Sequence, residues 1–274
     1  MSIAMMPASL PLLLTLAQAP AAAPAPKAAA PLRSPDAILA DHVKAIGGAA
    51  ALGRHKTLRT KRAVNVQGMN IAGTEERVAA AGNKLLSMVT MPGMGGPIRQ
   101  GSDGETFWAD DPINGLRLLE GVERAQARFD ATWNAELSIA KLFKTVTAVP
   151  PPAGAPSARS LECLELVPTE GLPMTTCFDA ATHLRVFQTG RQATPQGPVP
   201  FVTELSDWRS YDGVKMPALE RTKAGPASIE ARLTEVKFDQ PVDPSVFKLP
   251  RAKAAKAAAP VPATGVAKQA PAAK

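Results

Sequence analysis

The sequence predicts an α+β fold, mostly antiparallel β, whose sheet must curl. Three observations predict it. Between Leu58 and Phe238, short alternating or apolar runs recur, punctuated by turn signals such as Gly82-Asn83, Ser102-Asp103-Gly104, Tyr211-Asp212-Gly213 and Gly225-Pro226. The only long helical pattern set among these runs lies in one stretch, Gly101–Lys144. Both ends are Ala/Pro-rich or Lys/Ala/Pro-rich and cannot bury a core, which leaves residues 36–250 as one domain.

The ends also bear on compartment and charge. Leu10-Pro11-Leu12-Leu13-Leu14-Thr15-Leu16 followed by small residues has the hydrophobic region and cleavage-site pattern of a secretory signal, assigned to residues 1–21. No Lys or Arg precedes the apolar run and Pro20 follows the first candidate cut, so an unstructured Ala/Pro leader is the alternative. The run is too short and too broken by proline to span a bilayer, which takes about 20 apolar residues. No cysteine lies near the cut, so no lipid anchor is expected there. Residues 22–35 read as an extended linker and 251–274 as a disordered tail. Lys27, Arg33, Arg251, Lys253, Lys256, Lys268 and Lys274 account for the formal charge of +7, so the domain is near neutral. That argues against nucleic acid as a partner and leaves the tail as a basic segment for membrane surfaces or envelope proteins.

In chain order, Ser34-Pro35-Asp36 supplies an N-cap, a proline at the first helical position and an acid in the first turn. Ile38, Leu39, His42, Val43 and Ile46 share one helical face, and Gly47-Gly48 ends the helix. Strands follow from Leu58 to Pro92, split by Gly68 and Gly82-Asn83, with alternation at Val64/Val66 and, more loosely, at Leu86/Met88/Thr90. Ile98 opens a short strand ending at the Ser102-Asp103-Gly104 turn. Thr106–Ala109 is strand-like, and Asp110–Gly115 reads as a loop. Beyond Gly121, the spacing of Val122, Ala125, Phe129, Trp133, Leu137 and Ala140 marks one apolar helical face reaching Lys144, with Asn134 a candidate break into two helices. After the Pro150–Gly154 loop, strands resume at Ser160–Val167, Met174–Asp179, Leu184–Thr189, Phe201–Tyr211, Lys215–Ala224 and Ser228–Phe238. Val242–Pro250 closes the domain with a helical turn at Asp243-Pro244.

The two cysteines, Cys163 and Cys177, each lie seven residues from Glu170. A hairpin centred there sets them opposite each other, where an exported chain could bridge them; two buried thiols acting as small hydrophobes are the alternative. Neither sits in a CxxC or beside a histidine.

Order along the chain then carries a resemblance. Ala45-Ile46-Gly47-Gly48, Gly101-Ser102-Asp103-Gly104 with Trp108, Asp111-Pro112 and Leu118-Leu119-Glu120-Gly121 come first. Phe178-Asp179 with Thr182 and Leu184, Tyr211 through Pro217, Val236-Lys237-Phe238-Asp239 and Val242 through Pro250 follow. The chain so patterned resembles exported bacterial proteins of the LolA/LolB-like fold, the lipoprotein carriers and receptors. The resemblance implies an unclosed, curved half-barrel with helices plugging its concave face, holding something hydrophobic. His183 stands where those relatives tend to have glycine, and no residue is matched to the arginine that couples their lid to cargo release. The transferable expectation is therefore broader: lipid or lipopeptide binding.

The chemistry visible in the residues is sparse. His42, His55 and His183 lack metal-ligand spacing, Asp103, Asp110 and Asp111 are turn formers without EF-hand order, and no GxSxG, Walker or GxGxxG motif occurs. No catalytic residue, metal or cofactor is assigned. Methionine lines surfaces that accept varied apolar partners, and aromatics seal them. The expected hydrophobic-ligand pocket is accordingly Met69, Met88, Trp108, Leu119, Val122, Phe129, Trp133 and Leu137. The expected function is a monomeric, non-enzymatic periplasmic carrier or binder for a lipid or acyl ligand. The alternative is a scaffold or sensor module with a filled core, acting through its surface and basic tail.

Overall fold

A computed structural model describes residues 32–250; the segments read as signal (1–21), most of the linker (22–31) and tail (251–274) lie outside the described residues. The Ser34 side chain accepts from the Ala37 amide at 3.4 Å and Pro35 takes the first helical position, so α1 (Pro35–Ala45) starts as the sequence predicts. Gly47 ends it at φ 123°, packed so close to the Gly213 carbonyl that a Cβ would collide. A second short helix, α2 (Gly48–Arg54), follows directly; the Gly-Gly signal marks the end of α1 but does not announce it.

Thirteen strands then form one antiparallel sheet. The chain enters at its centre with β1 (Thr57–Val66) and steps outward through β2 (Ile71–Ala80), β3 (Lys84–Thr90), β4 (Ile98–Ser102) and β5 (Phe107–Asp111) to β6 (Gly115–Leu118) at one edge. It reappears at the opposite edge as β7 (Phe143–Val149). From there it returns through β8 (Leu161–Pro168), β9 (Met174–Asp179), β10 (Arg185–Gln192), β11 (Val199–Tyr211) and β12 (Val214–Ala224) to β13 (Ala227–Phe238), which pairs with β1. The edges β6 and β7 are not paired with each other among the described residues, so the sheet is a curved, unclosed half-barrel. Register shifts at Lys61/Arg62, Phe143/Thr145 and Arg185/Phe187 are bulges, which bend strands.

This route makes the segment between β6 and β7 an edge-to-edge crossover. It comprises α3 (Gly121–Ala131), a 3-10 turn (Ala135–Leu137) and α4 (Ile139–Leu142). Asn134, in the left-handed region at φ 51°, is where the single helical stripe fails. Beyond it the 3.6-residue phase restarts. Before the break, α3 is continuous but turned so that Ala127 and Ala131, not the expected Val122, are its buried residues; Val122 and Leu137 are 44% and 39% exposed.

Three further details differ from the sequence reading. Asp110 and Asp111, expected in a loop, belong to β5; the turn is only Pro112–Asn114, where Asp111 Oδ1 accepts the Ile113 and Asn114 amides at 2.9 and 2.7 Å. Strands β6 and β7 were not expected, because each is short and adjoins helix. On β3 the deeply buried side chain is Leu85, not the Leu86/Met88 face; two adjacent leucines leave the period-2 phase open by one residue.

Cys163 and Cys177 face each other directly across β8 and β9 and are joined, S–S 2.05 Å. Closing a loop of this length contributes about 3 kcal/mol. At the other wing, Gly101 lies opposite Trp108, whose indole occupies the space a Cβ would need. The buried Trp108 Nε1 donates to the Phe247 carbonyl at 3.0 Å, pinning the closing turn Pro244–Phe247 to the sheet. His183, where glycine was the expected type, adopts φ 58°, which explains that preference.

Candidate functional site: the cavity beneath the crossover

Three apolar clusters cover the concave face. Ile38 and Leu39 of α1 with Ile139 of α4 pack on Phe143, Leu164, Leu166 and Phe178. Ala127 and Ala131 of α3 pack on Leu85, Phe107 and Leu119. Ile46 and Leu52 pack on Val214 of β12. Between them, where α3 leaves the sheet and Asn134 turns the chain, lies a cavity of about 480 Å³. That is within the range of small-molecule sites, about 300–1,000 Å³.

Strand alternation decides what lines it. Leu58, Thr60 and Arg62 of β1 point inward, and their ladder partners Ala79, Arg77 and Glu75 on β2 share that face. Apolar lining comes from Ile46, Leu52, Leu58, Phe129, Trp133, Trp208, Met216 and Phe238. The rest is small, polar or charged. Arg62 reaches Glu220 at 2.8 Å and Glu75 at 3.3 Å, and Glu75 accepts from Ser87 at 3.2 Å, so a polar ribbon crosses the floor from β12 to β3. Arg77 Nη2 donates to the Asp130 carbonyl of α3 at 2.5 Å, tying the crossover to β2. Burial raises the Asp130 carboxyl above its ordinary value, with the Arg77 charge opposing.

A second tie holds the 3-10 turn. Glu136 Oε1 pairs with Arg185 of β10 at 3.0 Å, and its Oε2 lies 3.5 Å from His42 Nε2 of α1. Burial alone would raise the Glu136 carboxyl; the Arg185 and His42 side chains outweigh it and bring it to about 2. His42 is 1% exposed, and its Nδ1 donates to the His183 carbonyl at 2.9 Å. One concave cavity is thus roofed by a crossover that is bound to the sheet by two polar ties.

Of the eight residues expected to form a ligand pocket, Phe129 and Trp133 line this cavity. Leu119 is buried in the cluster beneath α3, whereas Trp108, next to Phe107 on β5, is buried on the opposite face of the sheet against the closing turn Pro244–Phe247. Val122 and Leu137 are exposed, and Met69 is 64% exposed in the β1–β2 turn. Met88 pairs with Glu76, on the face of the sheet opposite the cavity. A smaller cleft of about 330 Å³ lies between α3 and the β8–β9 turn, and Phe129 and Thr132 line both spaces. The charged lining was missed. Its signal was present in β1 and β2, where Arg62 is in phase with buried Thr60 and Val64, and Arg77 with Ala79.

No family model matches the sequence, and no curated protein matches it either. Solved structures do match the fold. A DUF1329 family protein from Desulfovibrio piger is 11% identical with a TM-score of 0.51, over 78% of this chain and 96% of that one. A LolA superfamily protein from Nitrosomonas europaea is 9% identical with a TM-score of 0.50, over 77% and 96%. The fold is LolA-like.

Proposed function

We propose that this protein is a non-enzymatic periplasmic binding or carrier protein for lipids or other acyl-bearing amphiphiles. The observation that carries the reading is the cavity of about 480 Å³ left between the apolar clusters of the two wings, roofed by a crossover rather than filled by it. Apolar burial against Leu58, Phe129, Trp133 and Met216 would drive binding at about 25 cal/mol per Å2 and discriminate poorly between chains. The charges beside them are committed to one another, Arg62 with Glu220 and Arg185 with Glu136, which supports a binding role over catalysis.

Arg77 supplies the coupling. A ligand that lifts α3 must break the Arg77 to Asp130 bond, so the crossover acts as a lid with a defined latch. A disulfide persists in oxidising compartments, and the Cys163–Cys177 bridge therefore favours export. An open cavity favours the carrier over the filled-core scaffold.

The test is native mass spectrometry, with organic extraction, of protein purified from an envelope fraction. A co-purifying amphiphile is expected, released on mild denaturation. Reproducibly empty protein that also fails to bind the apolar dye 1-N-phenylnaphthylamine would overturn the reading.

A further inference from the structure

The cavity has one end where hydrogen-bonding capacity is left over. Four buried side-chain atoms there lack a hydrogen-bond partner: His42 Nε2, Glu136 Oε2, Arg185 Nε and Trp208 Nε1. All four residues line the same cavity. They form a connected group, since Glu136 is 3.0 Å from Arg185 and 3.5 Å from His42, and the His42 and Trp208 rings are 6.3 Å apart, edge to face. Buried polar atoms are nearly always satisfied, and four orphans together in one lipid-sized cavity are costly unless something bound there answers them.

The chemistry of the four atoms selects the ligand. The Trp208 indole and Arg185 Nε are donors only. Glu136 Oε2 is an acceptor. His42 Nδ1 gives its hydrogen to the His183 carbonyl, and its Nε2, 3.5 Å from Glu136 Oε2, gives or takes a hydrogen according to the protonation of the ring. Donors beside a carboxylate acceptor fit a group that both gives and takes hydrogen bonds. The charge at this end fits an uncharged group, because Arg185 is already neutralised by Glu136, Arg62 is held by Glu220 and Glu75, and Arg77, which donates to the Asp130 backbone carbonyl, stands on β2, five strands from β10. An anionic head at this end would face the Glu136 carboxylate.

We infer that this end of the cavity is a polar subsite for an uncharged, hydroxyl- or amide-bearing head of the amphiphile, with its acyl chain lying toward Phe129, Trp133 and Leu58. The inference rests on the binding function proposed above and adds the head-group class. The head seats against α1, β10 and β11 beneath the Glu136 turn, so it also touches the tie that holds the lid.

The probes are monopalmitoylglycerol, methyl palmitate and palmitate, which carry the same chain on a hydroxylic, an acceptor-only and an anionic head. Each is titrated against bound 1-N-phenylnaphthylamine, using the full-length protein. Monopalmitoylglycerol is expected to displace the dye at about tenfold lower concentration than either of the others, the scale of one or two buried hydrogen bonds. Trp208→Phe, and independently Arg185→Lys, which keeps the charge opposite Glu136 but loses Nε, are each expected to shrink that ratio to about threefold or less. Dye binding with equal displacement by all three probes, tighter binding of palmitate, or a ratio unchanged in both variants would overturn the subsite while leaving the carrier function intact. Absence of dye binding by the wild-type protein would overturn both.

Discussion

Two regions of the concave face, built from the same sheet and covered by the same crossover, differ in what their strands turn inward. At the β7–β9 wing the inward side chains are Phe143, Leu164, Leu166 and Phe178, and helices α1 and α4 close on them with Ile38, Leu39 and Ile139. That surface is mainly apolar, with the buried Thr176 opposite Leu164 as its polar exception, and Leu164 is 0% exposed. At the centre, β1, β2 and β12 turn inward Arg62, Arg77 and Glu220 among Leu58, Thr60 and Met216. Helices cannot seal against such a mixture without leaving charges unpaired, so the charges pair with each other and the roof stands off. Stability is concentrated in the wing, and capacity for a guest in the centre.

The largest effect that would break this contrast is in the wing. Leu164→Ala should cost about 3 kcal/mol, seen as a lower urea midpoint at unchanged slope, with dye affinity of the folded protein unaltered. A large change in affinity instead would mean that the wing, too, is part of the site.

Next comes the tie at Glu136. Its carboxyl titrates at about 2 in the folded chain against an ordinary 4.5, so the folded state favours the charged form. The contribution is complete above pH ~4.5 and is lost as pH falls through about 2; at 1.36 kcal/mol per unit it amounts to about 3 kcal/mol. Urea midpoints measured between pH 7 and pH 2 should fall across that window, and Glu136→Gln should be less stable at pH 7 with a shallower fall. A variant with the wild-type pH profile would remove Glu136 from the account.

Phe129→Ala follows, with the two readouts reversed relative to Leu164. The ring is half-buried between the cavity and the neighbouring cleft. Truncation should cost about 1 kcal/mol in stability and weaken 1-N-phenylnaphthylamine binding about tenfold, measured by fluorescence titration. Val122→Ser is the smallest. Exposed and outside the cavity, it should change stability by less than about 0.5 kcal/mol and binding not at all.

The same contrast explains what could be read without coordinates. Where neighbouring residues agreed, the sequence was sufficient. Ser34-Pro35 and Gly47 bounded α1, and spacing about Glu170 set Cys163 opposite Cys177. The order of turn signals, together with the family resemblance, pointed to an unclosed curved sheet. In the wing the strand Ser160–Val167 was read, but its inward pair Leu164 and Leu166 was not singled out, since the adjacent Cys163 is apolar and buried too. The centre was not legible, because an arginine on a strand reads as a solvent-facing residue until its partner is known. Glu220 lies 158 residues from Arg62, and Asp130 lies 53 from Arg77. The crossover was half legible. Val122 through Leu137 share one stripe on an ideal helix, but the extended Thr132 and left-handed Asn134 end it, and within α3 the docking of the helix turns Ala127 and Ala131 to the sheet instead of Val122. Propensity marks where such a break is permitted, whereas tertiary packing decides that it occurs.

The most direct measurement of the central claim is the position of a bound chain. A co-crystal with a terminally brominated acyl amphiphile, solved by anomalous diffraction, should show bromine between the crossover and the floor, near Leu58, Phe129, Trp133 and Met216, with the Arg77 to Asp130 bond lengthened or broken. Bromine on the outer face of the sheet or within the β7–β9 wing, or a saturated crystal with the cavity unchanged and no bromine in it, would contradict the account.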